Sequence, residues 1–144
     1  MKTLLSSLKI NTLVLSLGLL FVGSMVTVSS CVASFDAMSM ENVTSISKKL
    51  PDLMGKATEA YSKHEADATS LLNDIGKAAT HAASLKKNKE VAESWKILQN
   101  DLVTPFFARW KEKGKLDKDF IKEAAMQVSK SLDAIKKAES AKKK

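Results

Sequence analysis

Residues 51–82 read PDLMGKATEAYSKHEADATSLLNDIGKAATHA, and how this run folds decides the architecture. Apolar or small side chains recur at Leu53/Met54, Ala57, Tyr61, His64, Ala68, Leu71/Leu72, Ile75, Ala78/Ala79 and Ala82. Steps of three and four keep one face of a helix apolar. Pro51 suits a first helical turn, where a missing N–H is no loss. Val43, Ile46 and Leu50 carry the same period upstream. The spacing therefore predicts a long first helix that starts at Pro51, or near Glu41 with a kink near Pro51, and runs to about residue 82. Gly76 weakens it by about 1 kcal/mol relative to alanine.

Lys86-Lys87-Asn88-Lys89 breaks the pattern and marks a connection. A second helix opens near Glu90 with a stripe of Val91, Trp95, Leu98, Leu102, Phe106 and Arg109/Trp110. Pro105 lies inside it and predicts a kink between Asp101 and Thr104, because proline offers no N–H to the ladder. Gly114 is placed to end this helix in a left-handed cap. Asp117 is the N-cap of a third helix whose stripe is Phe120/Ile121, Ala124/Ala125, Val128, Leu132, Ile135 and Ala138. No segment alternates as a strand would. The expected fold is all-α, an antiparallel three-helix bundle with a long first helix. A helical hairpin that completes its core as a homodimer is the alternative.

The N-terminus has a different character. Lys2 and Lys9 give a basic start, and Ile10 to Ser30 runs without a charge. A positive start, an apolar core of about 7–15 residues and small residues at a cut make a secretory signal. Cys31 is the one cysteine of the chain. Val28-Ser29-Ser30-Cys31 resembles the lipobox of bacterial lipoproteins, and the resemblance covers those four residues. It implies cleavage by signal peptidase II, acylation of Cys31 and a membrane-anchored protein of the cell envelope, facing the periplasm or the cell surface. Val32 rather than Asp after the cysteine implies the outer membrane in a Gram-negative cell. An uncleaved signal-anchor, or ordinary cleavage that leaves a free thiol, are the competing readings. The expected organisation is a signal peptide at 1–30, a lipidated spacer at 31–40 and a helical domain at 41–144 with a basic tail.

Charge is unevenly spread. The chain carries a formal net charge of +7, and from Arg109 to Lys144 twelve basic residues face six acidic ones. A basic face fits an anionic partner. Export makes nucleic acid a poor candidate, which leaves anionic lipid, a cell-wall polymer or an acidic envelope protein. Lys136 and Lys137 are the candidate contacts in this tail. Phe106, Phe107, Arg109 and Trp110, beside the Pro105 kink, are the other place to expect a partner. Phe107 sits about 100° from Phe106 around the helix, so it either widens the core or presents an apolar spot. The second outcome would suit a chaperone-like or adaptor module that binds apolar protein segments.

Nothing points to an enzyme, a metal or a cofactor. His64 and His81 fall on different sides of one helix and cannot share an ion by local spacing. Met38 and Met40 offer two soft thioethers to copper(I), a weak signal in a spacer. No nucleophile–base set or paired-carboxylate signature is recognisable.

Overall fold

The computed structural model describes residues 33–142. The signal segment, the lipobox with Cys31, Val32, Lys143 and Lys144 lie outside the described residues. Apart from one isolated bridge position at Ser34, every regular element among the described residues is helical, as expected for an all-α chain.

Asp36 starts the first helix. Its backbone is extended (φ −127°, ψ 119°) and its side chain accepts the Ser39 N–H at 2.7 Å, the geometry of an N-cap. Helix α1, Ala37–Gly55, then buries Ser39, Val43, Ile46, Leu50, Leu53 and Met54 on one face. Met38 and Met40 thus belong to a helix rather than to a spacer. Pro51 sits inside α1 without ending it.

The expected long first helix is two helices. After Gly55 the chain makes short 3-10 turns at Lys56–Thr58 and Tyr61–Lys63, with Glu59 extended between them. Helix α2, Glu65–Ser84, follows. The reason is tertiary: backbone groups here find partners elsewhere. Leu116 N–H donates to the Ala57 carbonyl at 2.8 Å, and Tyr61 N–H to the Gly114 carbonyl at 2.9 Å. Trp110 Nε1 donates to the Glu59 carbonyl at 2.9 Å. Groups that a continuous helix would have paired internally are satisfied across the fold. The periodicity persisted because Ala57 is fully buried and Tyr61 packs on the core in either arrangement.

Helices α3, Lys89–Ile97, and α4, Thr104–Lys113, are joined end to end by a π-helical segment, Leu98–Val103. The kink expected from Pro105 takes this form. Thr104 N–H reaches back to the Gln99 carbonyl, five residues away, and the wider turn makes room for a residue that cannot donate. Gly114 closes α4 at φ 75°, donating to the Trp110 carbonyl. Asp117 caps α5, Lys118–Ser140, accepting from the N–H groups of Asp119 and Phe120.

Four rods result, so the three-helix expectation is corrected to four. α1 packs along α2 and α5, α2 along α3, and α5 against α3 and the π segment. The ring encloses Leu50, Met54, Ile75, Trp95, Leu98, Leu132 and Ile135, each at most 1% exposed. No described helix is long and apolar enough to cross a membrane.

Candidate functional site

Two contacts fix which helix ends lie together. His81, in the last turn of α2, meets the α1 cap: its Nε2 is 2.8 Å from Asp36 Oδ1. The Leu116–Ala57 bond ties the start of α5 to the opposite end, just past α1. At about 1.5 Å per residue, the 23 residues of α5 span about 34 Å and return to the end where α1 begins. That end therefore gathers Asp36, the α2–α3 connection Leu85–Asn88 and the C-terminal turns of α5. It is also where the described chain starts.

The six residues expected to meet a partner do not form one site. Phe106, Phe107 and Trp110 are 2%, 2% and 0% exposed. Phe106 and Phe107 meet edge to face at 5.6 Å, and Phe106 stacks on Phe120 at 6.0 Å. Phe107 widens the core. Trp110 is a core hub at the far end, 5.4 Å from the Tyr61 ring and 5.5 Å from the His64 ring. Arg109 remains on the surface with its guanidinium 4.4 Å over Phe120, at an open groove of about 600 Å³ that also includes Leu102 and Pro105. Lys136 and Lys137 are exposed but lie sixteen residues along α5 from Phe120, about 24 Å away.

The end of the bundle that holds Lys136 and Lys137 is also the one at which α2 connects to α3. Lys86, Lys87 and Lys89 are exposed there, on a turn in which Lys87 takes a positive φ of 61°. The turn is held from beneath by buried Asn88, whose Nδ2 donates to the Ala82 carbonyl at 2.9 Å. Two segments distant in sequence thus bring five exposed lysines to one end. Among the described residues none of the five is ion-paired, whereas Lys49, Lys96, Lys111 and Lys113 each have a carboxylate partner. Lys142 is spent differently: it is buried with Glu139, Nζ to Oε2 2.5 Å. The exposed acids at this end are Glu41, Glu90, Asp133, one turn before Lys136, and Glu93, which pairs with Lys96. At the opposite end, residues 52–65 and 109–119, seven cations face six acids and nearly cancel.

Asp36 carries the local electrostatics. Its hydrogen bond with His81, then the Ser39 N–H, hold the carboxyl below its ordinary 3.8. Three buried side-chain atoms lack a partner among the described residues, Ser39 Oγ, Asn88 Oδ1 and Glu139 Oε1, and all three lie here. Each such atom costs about 1–3 kcal/mol, so this end is less well satisfied than the rest.

Among the described residues no group of three His, Cys, Asp or Glu could hold a metal. His64 is 3.2 Å from Glu59 at one end and His81 meets Asp36 at the other. Met38 is exposed while Met40 packs on the core, so the two thioethers do not converge. No protein family, curated protein or solved structure matches the chain.

Proposed function

We propose that the protein is a non-enzymatic, lipid-anchored helical module of the bacterial cell envelope, acylated on Cys31, that offers a basic surface to an anionic envelope component. Three properties support this reading. The lone cysteine follows small residues after a charge-free segment. The helical body begins at Ala37, a few residues beyond it. The observation that carries the binding role is the gathering of Lys86, Lys87, Lys89, Lys136 and Lys137 at one end, without ion-pair partners among the described residues. The chaperone-like reading loses its main support, since Phe107 is core. Val32 favours the outer membrane of a Gram-negative cell, and the domain faces the periplasm or the surface.

Intact mass of the membrane-extracted protein tests the anchor. The expected mass lacks residues 1–30 and carries acyl chains, and Cys31→Ser leaves the precursor unprocessed. An unmodified full-length mass, or a Cys31→Ser protein that is processed and fractionates as before, refutes it.

A further inference from the structure

We infer that Lys86, Lys87, Lys89, Lys136 and Lys137 form a footprint for the anionic head groups of the bilayer to which the chain is tethered, seating the bundle on that bilayer end-on. The inference rests on the anchored reading above and names its partner. The decisive quantity is reach. From Cys31 to the Asp36 cap is five residues, which span at most about 17 Å when fully extended. The first helix starts at once, and its start is pinned to α2 through His81. A chain held in a membrane at residue 31 therefore keeps this end, and not the neutral one about 30 Å away, beside the head groups.

The chemistry of the surface suits a bilayer better than a discrete ligand. All five cations are lysines, compact and strongly hydrated charges, with no arginine fork for bidentate recognition of a single phosphate. They come from a turn and from a helix face rather than from the walls of a cleft. Near an anionic leaflet each lysine strengthens association about fivefold. Glu41, Glu90 and Asp133 offset three of the five, so a net of two charges gives about a twenty-five-fold preference for anionic over neutral lipid. The effect reaches about 8 Å at physiological salt, so the short tether is what makes it usable.

The test uses the full chain reconstituted into vesicles of phosphatidylcholine alone, or with phosphatidylglycerol added, and a water-soluble amine-labelling reagent read by peptide mass. On anionic vesicles the five lysines are expected to label several-fold more slowly than on neutral ones. Exposed Lys56, Lys63 and Lys115 at the opposite end serve as controls and should not change. The protection should vanish near 1 M salt, where the screening length falls to about 3 Å. In a variant with Lys86, Lys87, Lys136 and Lys137 all changed to Gln, protection of Lys89 should be lost with helix content intact. Equal labelling on both vesicles, or protection that ignores salt and lipid charge, overturns the footprint. Intact mass of the same sample separates the two proposals. Acylated protein without protection keeps the anchor and removes the footprint; protected protein without acyl chains does the reverse.

Discussion

Asp36 should be the most informative side chain to change, because one carboxylate does two separable jobs. It caps α1 by accepting the Ser39 N–H at 2.7 Å, and it joins α1 to α2 through His81 at 2.8 Å. Asp36→Ala removes both. Loss of an N-cap costs about 1 kcal/mol, and a half-exposed contact such as that with His81 adds less than about 1 kcal/mol. Asp36→Ala should therefore cost about 1.5–2 kcal/mol. Asp36→Asn keeps a capping oxygen, since asparagine caps as well as aspartate, and loses the charge at the positive helix end, about 0.3–1 kcal/mol. Urea unfolding followed by circular dichroism reads the difference. With a slope of about 1.5 kcal/mol per molar, the midpoint should fall by about 1 M or slightly more for Ala and by about 0.2–0.7 M for Asn. The pH dependence follows from the lowered pKa of the folded carboxyl. A group depressed on folding contributes stability that is fully present above its unfolded pKa, near 3.9. That contribution is lost as pH falls through the folded value. The gap between wild type and Asp36→Asn should thus be constant at neutral pH and close below about pH 4. An Asn variant as unstable as Ala, or a gap that survives in acid, refutes the division of labour.

Two glycines should respond in opposite directions to the same change. Gly114 holds φ 75° with open space where a Cβ would go, so Gly114→Ala costs backbone strain alone, about 1–2 kcal/mol. Gly55 is helical (φ −59°, ψ −25°) and equally open, so Gly55→Ala should stabilise by about 0.4–1 kcal/mol; urea midpoints that move the same way contradict this. Phe107→Ala empties a site only 2% exposed and should cost about 3–5 kcal/mol, visible as a large drop in thermal midpoint. A Phe107→Ala protein of unchanged stability would mean the ring is not core, and would revive the apolar-docking reading.

Local rules carried most of the fold. The buried faces of α3, α4 and α5, the Gly114 cap and the Asp117 cap are legible because each depends on residues within a turn or two. Pro105 announced a disturbance, and the π segment is the form it takes when the rod must stay continuous. The break after Gly55 was not legible for a physical reason. Its stabilising partners, Trp110, Gly114 and Leu116, lie some fifty residues away, and the apolar spacing of 51–82 satisfies one long helix and a folded pair alike. Asp36 escaped notice as a cap because Met38 and Met40 lie in a stretch that resembled a spacer.

The basic end was hidden by the same mechanism, and its history explains why chain order misleads about surfaces. Sequence grouped Lys136 and Lys137 with Arg109 as one basic tail, yet α5 carries Lys136 about 24 Å along its axis from Phe120, over which Arg109 lies. It also assigned Lys86, Lys87 and Lys89 to a connection without a role. Splitting the first helix changes the parity of the bundle. With three rods, the first and last helices point the same way, and the C-terminal lysines finish far from where the chain enters. With four, the last rod ends beside the start of the first, and the α2–α3 turn joins them there. The single break at 56–64 thus converts a diffuse C-terminal charge into a compact one at the end where α1 begins. A variant that restores one continuous helix through this break should lose the lysine cluster even with every lysine retained. Amine labelling on anionic vesicles would show it by leaving Lys86 and Lys136 no longer protected together.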